Sequence, residues 1–355
     1  MTLRVVQWST GNVGRHAIAG IAARPELELV GVWVSSEEKA GKDAGLLAGL
    51  GRELGVAATT DADALLALRP DCIVHTAMAD NRLMEAMQDL TRFLAAGINV
   101  VSSSPVFLQY PHGVVPAEMT DPIVTAALSG GASLFVNGVD PGFANDWLPL
   151  VITGISERID EVRCIELLDY STYDSATVMF DVMGFGKPMD ETPMLLMPGV
   201  LSLAWGSVVR QIAAGLGIEL DDVTETVVKL PAPDDFDIAS GPIPKGTMAA
   251  LRFEVRGMYR GRAAVVLEHV TRLRPDIGPD WPQPAGQGCY RVEVKGEPNY
   301  TVDMQLLGTD GDHNTAGLKA TAMRLVNAVS AVVAAPPGLV TALDLPLITG
   351  RGLVT

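Results

Sequence analysis

The residues of this sequence that could do chemistry are few and scattered. Near the N-terminus, Ser9-Thr10-Gly11-Asn12-Val13-Gly14 places two glycines directly behind a short apolar run. Glycine in such a turn lets backbone N–H groups at a helix N-terminus approach a pyrophosphate, because no Cβ intervenes and the helix dipole favours an anion. Asp140 opens the turn Asp140-Pro141-Gly142-Phe143. Its carboxylate could orient a cofactor amide or a substrate nitrogen, or it could simply bond its own backbone as turn aspartates do. Tyr173 could donate a phenolic proton, and His269 could act as an acid near neutral pH if a carboxylate orients its ring. A packed tyrosine and a structural histidine are the alternatives. Glu268 is not automatically the partner of His269, since adjacent strand residues face opposite ways.

The elements that must position these residues are legible around them. Leu3 to Trp8 reads as a buried strand, and small or apolar Ala17, Ile18, Ile21 and Ala22 recur at helical spacing until Arg24-Pro25 stops the helix. Strand, glycine turn and helix therefore follow in the order a dinucleotide site requires, with Ser9 at the first glycine position. A second strand, Leu27 to Val34, ends at Ser35 and Ser36, where the adenosine ribose of a bound dinucleotide is selected. Small hydroxyls there, with Arg15, Lys39 and Lys42 nearby, leave room for a 2′-phosphate and favour NADP(H) over NAD(H). The alternative is that the serines cap the next segment and Glu37 or Glu38 turns back to the ribose.

Strands Asp71–Ala77 and Asn99–Ser103 flank a helical stretch from Leu83 to Ala95. The alternation predicts an α/β protein with a doubly wound parallel sheet, whose ligands lie beyond the carboxyl ends of its strands. Thr76-Ala77 and Ser102-Ser103 are then walls of the cofactor site. His75 is expected to be a packed strand residue. After the strand Ser133–Val139 the pattern changes to Ala249–Val255 and Ala263–His269 strands among Gly- and Pro-rich segments, which predicts a second, α+β domain. Asp169, Tyr170 and Tyr173 should stand where that domain's first strand ends, Asn145 lies by the Asp140 turn, and Asp146 should cap a helix starting near Trp147. Met179 to Met189, with Gly184 and Gly186, has the makings of a lid, so Met183 and Phe185 are candidates to line a hydrophobic substrate pocket. Asn314-Thr315 opens a long helix whose face Ala322, Leu325, Val326, Val329, Val332, Val333 must be buried, on the first domain or across a dimer axis.

Composition excludes other classes. Over 355 residues, 48% are apolar, which rules out a disordered chain. A net charge of −16 repels nucleic-acid phosphates and anionic lipid. No stretch is long and apolar enough for a membrane span, so a soluble, cytoplasmic protein is expected. Cys72, Cys164 and Cys289 lack metal-ligand spacing, so neither disulfides nor a metal are expected.

The N-terminal turn, Asn99-Val100-Val101 leading to Tyr110-Pro111, the Gly138–Phe143 turn, Glu268-His269, and Asn327-Ala328 through Pro336-Pro337-Gly338-Leu339 to Asp344-Leu345-Pro346 together resemble the dihydrodipicolinate reductase-like superfamily. They are most similar to its 2,4-diaminopentanoate dehydrogenases and native amine dehydrogenases. The resemblance implies a Rossmann domain of residues 1–145 completed by 312–355, and an inserted substrate and dimerisation domain of residues 146–311. It also implies a homodimer and hydride transfer between NAD(P)H and a C=N or C=O group of a small hydrophobic substrate. Members of the family carry a glutamate pair just before Leu-x-Tyr-Pro, where this chain has Val106 and Phe107. Neither can take a proton, so the pocket wall there should be apolar and the acid must come from elsewhere. The His-His pair and Lys of the dihydrodipicolinate reductases have no counterpart in residues 165–180. A carbonyl or enoate reductase, needing only a Tyr or His acid, and a dinucleotide-binding redox sensor without turnover remain the alternatives.

Overall fold

Short β-branched runs set out the first sheet in this computed structural model, which describes residues 2–79 and 82–354. Its strands are β1 (Leu3–Trp8), β2 (Leu27–Trp33), β3 (Ala58–Thr59), β4 (Cys72–His75), β5 (Asn99–Ser102) and β6 (Ser133–Val136). A longer set follows: β7 (Arg158–Asp169), β8 (Asp222–Pro231), the hairpin β9 (Phe236–Ile238) and β10 (Gly241–Ile243), β11 (Met248–Tyr259), β12 (Arg262–Arg272), β13 (Cys289–Glu297) and β14 (Tyr300–Met304). The last, β15 (Gly338–Val340), returns to the first sheet beside β6.

The chain divides into a unit of Met1–Val139 with Leu318–Thr355 and a unit of Asp140–Gly317. The junctions thus fall at 139/140 and 317/318, where the sequence reading had 145/146 and 311/312, and Asp140 and Asn145 go with the second unit. In the first unit the order β15-β6-β5-β4-β1-β2-β3 is parallel throughout, the doubly wound arrangement of a Rossmann fold. The apolar face of the helix His313–Val333 packs on this sheet: Ala322, Leu325, Val326, Val329 and Val332 join Val5, Val74, Val101 and Phe135 in one core. Of the two burial routes open to that helix, the structure takes the intrachain one.

The second unit is built on a mixed sheet in the order β14-β13-β7-β12-β11-β8, with β7 and β12 parallel. Alternation sorts its residues by face. Ala249, Leu251, Phe253 and Val255 of β11, Val265 and Leu267 of β12, Val162 and Cys164 of β7 and Val292 and Val294 of β13 share a core with Val208, Val209 and Ile212 of the helix Gly206–Gly215. On the opposite face Arg163 bonds Glu161 at 3.1 Å, Glu254 at 2.6 Å and also Glu268, while Arg252 reaches Glu268 at 2.8 Å.

The expected lid is part of this core. Met179, Met183 and Phe185 are buried. Gly186 N–H bonds the Met248 carbonyl at 2.9 Å and Met248 N–H returns to Lys187, which fastens the segment to the edge of β11. Phe180 lies where Gly186 and Gly241 leave space for its ring. Met183 and Phe185 therefore stand in the interior of this core. Cys72, Cys164 and Cys289 are free and buried, and among the described residues no helix is long and apolar enough to cross a membrane.

The Arg163 network makes a test of the second unit. Replacing Arg163 by Met removes a cation from between two nearly buried carboxylates, and unfolding in urea should show a loss of about 3 kcal/mol, since Arg252 and Arg256 still reach those carboxylates.

Candidate active site

The glycine turn is held from below by polar residues of its own unit. Ser9 has a left-handed backbone, φ 81°, the conformation for which glycine is usually chosen. Gln7, buried inside β1, donates to Ser9 O at 2.9 Å and to Thr76 Oγ1 at 2.7 Å, and Thr76 in turn bonds Trp8 O at 3.1 Å. A Cβ on Gly14 would lie 2.2 Å from Ser9 O, so only glycine lets the helix Asn12–Ala22 start this close to β1. A Cβ on Gly11 would meet nothing nearer than Ser9 Oγ at 3.8 Å, and no side chain caps the helix. That cradle, open above Gly11 at a bare helix N-terminus, fits a dinucleotide pyrophosphate.

The other cofactor candidates are divided by the structure. Ser35 is exposed, Ser36 half-buried, and Lys39 Nζ reaches Thr10 Oγ1 at 3.4 Å, which brings a cation to the end of β2. Asn12 and Val13 stand half-buried in the first turn of the helix. Ala77 is buried and Ser103 half-buried at the ends of β4 and β5. Thr76 and Ser102 correct the reading: their hydroxyls are spent inward, Thr76 on the turn and Ser102 on Ser104 O at 2.5 Å and His75 Nδ1 at 2.8 Å. His75 is packed, as expected, and burial pushes its imidazole down to about 3, so it carries no charge. Phe107 is also buried, in the helical turn Val106–Gln109, while Val106 is partly exposed. Phe107 thus closes an interior and only Val106 can present a wall.

The second unit gathers the candidate acids. Strand register places Phe253, His269, Glu166 and Tyr290 in one row across β11, β12, β7 and β13, all on the inner face. His269 Nδ1 lies 3.3 Å from Glu166 Oε1, and its Nε2 lies 3.3 Å from Asp140 Oδ1. Tyr170 donates to Glu166 Oε1 at 2.8 Å, and Trp205 Nε1–H donates to Asp140 Oδ1 at 3.0 Å. Asn145 accepts Gly142 N–H at 2.8 Å, pinning the Asp140 turn, and Asp146 caps Trp147 as expected. The side chains of Asp140, Glu166 and His269 are no more than 5% exposed.

Charge follows from this enclosure. Burial opposes a charge on His269, but the Asp140 and Glu166 carboxylates outweigh it and push the imidazole up to about 10. The Phe253 ring lies stacked 4.7 Å away and Trp205 meets the imidazole edge-on, an aromatic setting that also favours a cation. Burial raises the Asp140 carboxyl, yet His269 and the bonds from Trp205 and Asn145 prevail and hold it below its ordinary value. Burial and the Glu166 charge raise the Tyr170 phenol well above its own. The ligand atoms of Asp140, Glu166 and His269 lie within 4.8 Å of one another, close enough to hold a metal ion. The two carboxylates face different ring nitrogens, however, so the cation between them is the protonated ring.

Asp140 and His269 are thus brought together by the fold, and Tyr170 joins them through Glu166. Tyr173 stands one step away, its ring stacked on Tyr170 at 5.3 Å. Asp169 is apart: its carboxylate accepts Ser171 N–H at 2.8 Å, and it lines a cavity of about 650 Å³ with Thr172, Arg272, Asp310, Asp312 and His313. That cavity adjoins the ends of β7 and β12, three residues beyond Glu166 and His269 on the same strands. Sequence reasoning missed Glu166, Trp205 as a donor, and Tyr290. A glutamate inside the apolar run Cys164-Ile165-Glu166-Leu167-Leu168 was the available signal, since a carboxylate buried in a strand requires a partner.

The chain has relatives among known proteins. The 2,4-diaminopentanoate dehydrogenase C-terminal domain family matches residues 143–352. An amine dehydrogenase of Streptomyces virginiae is 44% identical over 97% of this chain and 96% of its own length. The 2,4-diaminopentanoate dehydrogenase of Acetoanaerobium sticklandii is 23% identical over 76% of this chain and 72% of its own. Among solved structures, the amine dehydrogenase of Mycobacterium smegmatis superposes with a TM-score of 0.78 at 24% identity, covering 99% of this chain and 98% of that one.

The raised imidazole gives a pH test. A group whose pKa rises on folding stabilises fully below its unfolded value and loses that contribution as pH climbs through the folded one. The stability advantage of the wild type over His269→Gln, read from urea midpoints, should therefore be constant below about 6.5 and shrink as pH rises toward about 10.

Proposed function

Because the chain belongs to the amine dehydrogenase family that carries the 2,4-diaminopentanoate dehydrogenase C-terminal domain, and is an NAD(P)-dependent oxidoreductase, we propose that it interconverts a small amine with its C=N or C=O counterpart. The observation that carries this reading is the 44% identity to an amine dehydrogenase along nearly the whole length of both chains. When bound, the reduced nicotinamide supplies the hydride. Ser9, Thr10, Gly11, Asn12, Val13 and Gly14 would hold the pyrophosphate on the helix N-terminus. Ser35, Ser36 and Lys39 would receive a 2′-phosphate, which makes NADP(H) the preferred cofactor in this reading; Lys39 beside Thr10 supports it.

The protein's own part is proton management. Asp140, poised as a carboxylate against the His269 imidazolium, is the group proposed to exchange a proton with the substrate nitrogen or with a departing water oxygen. Two carboxylates facing a single imidazolium suit a substrate that passes through a cationic, iminium-like state. This arrangement stands in for the family glutamates that Val106 and Phe107 replace. Asp169, Asp310 and Asp312 around the 650 Å³ cavity suit a ligand bearing N–H donors. With Met183 and Phe185 in the interior, the case for a strongly hydrophobic substrate rests on Val106 alone. A homodimer completes the reading, supported by the exposed Thr226 and Val228 on the outer face of the second unit's sheet.

Titration with NADPH and NADH by fluorescence, followed by oxidation of the bound cofactor against a panel of ketones with and without ammonia, tests this reading. Tighter binding of NADPH and turnover that requires ammonia are expected. Ammonia-independent turnover would replace the amine chemistry with carbonyl or enoate reduction, and dinucleotide binding without turnover across the panel would favour a sensor.

A further inference from the structure

The register that puts Glu166 opposite His269 also puts Tyr170 one turn of chain away, at the end of β7, where its hydroxyl comes back to the same Oε1 that faces Nδ1. One oxygen is therefore held from two sides, by a phenol and by the ring. From these contacts we infer that Glu166, held by Tyr170, is a positioning residue that commits His269 Nδ1–H and thereby fixes the ring with Nε2 facing Asp140 Oδ1. The inference rests on the proton role proposed above for Asp140.

The consequence is a defined proton inventory. With Nδ1–H committed to Glu166, the Nε2 proton is the one that can pass to Asp140 Oδ1 and return, so the ring ends each cycle as it began. Without that commitment the neutral ring left after the transfer could keep its remaining proton on Nε2 instead, and would then offer Asp140 no base to take the proton back. The surroundings reinforce the arrangement from every packed element. Phe253 of β11 and Trp205 face the ring with aromatic surface. Tyr290 of β13 lies in the same row, its phenol raised by burial and by the Glu166 and Asp140 charges, so it remains protonated. The Cys164 thiol of β7 is likewise raised by burial and by Asp140, so it adds no charge. Tyr173 flanks Tyr170 as a stacked ring. Asp140 and Glu166 are thus the charges that set the state of the imidazole.

Full-length Glu166→Gln preserves the side-chain shape and removes one of those charges. Burial then weighs more heavily, and the His269 imidazole, followed by its side-chain ¹⁵N resonances through a pH titration, should titrate about 1–3 units lower than in the wild type. The basic limb of the kcat/KM profile should move down by the same interval. Tyr170→Phe, which keeps the carboxylate but frees it, should give a smaller shift in the same direction, and Glu166→Asp should recover part of the wild-type profile. An imidazole that titrates unchanged in Glu166→Gln would overturn the inference. So would a downward titration shift with an unmoved basic limb, because the clamp would then have no bearing on turnover. If Glu166→Gln fails to fold, the Tyr170→Phe titration decides in the same terms. Absence of ammonia-dependent turnover in the wild type would remove the proposed reaction, while the ¹⁵N titration would still decide the clamp.

Discussion

A charged imidazole in a protein interior is tolerated only when its charge is answered on the spot, because transferring an unpaired ion from water costs several kcal/mol even after relaxation. His269 meets that condition with a carboxylate on each ring nitrogen. Much of the second unit follows from satisfying it. Parallel pairing of β7 with β12 brings Glu166 opposite His269, and the Asp140 turn, pinned by Asn145 and Trp205, closes the other side. Phe253 and Trp205 exclude water from the ring faces. Removing either carboxylate leaves part of a buried charge without its answer.

The first unit solves a different problem with different means. There the proposed function requires an anion site, which the chain would meet with backbone. Ser9 takes up a left-handed conformation, Gly14 admits the close approach of helix and strand, and Gln7 and Thr76 tie the turn down from beneath. Nothing in this cradle titrates near neutral pH. The proposed function thus places binding and proton transfer in separate parts of the chain, so that disabling one should spare the other.

Legibility in the sequence divides along the same line. The glycine turn, the parallel strands and the long C-terminal helix could be read because their signals are local: apolar periodicity, a stop before proline, two glycines in a short turn. Asp140 and His269 could be nominated singly from residue type. That they meet could not, for a turn near residue 140 and a strand near residue 269 are brought together across more than a hundred residues of chain. Glu166 was invisible as a partner for the same reason, its contact with His269 spanning more than a hundred residues. The lid reading of Met179–Met189 failed because Gly184, Gly186 and several methionines look alike in a mobile loop and in a tightly bent segment that fills a core. Thr76 and Ser102 misled in the opposite sense, standing at strand ends where ligands are expected while their hydroxyls serve the backbone.

The separation of roles can be measured most directly in Asp140→Asn, by determining the dissociation constant for the dinucleotide and kcat on the same preparation. The account predicts that cofactor affinity stays at the wild-type value, since the cradle lies in the other unit, while kcat falls by about 10²- to 10⁴-fold with the loss of the proton-exchanging carboxylate. A variant that binds cofactor normally and turns over at the wild-type rate would contradict the assignment of proton transfer to the Asp140–His269–Glu166 group.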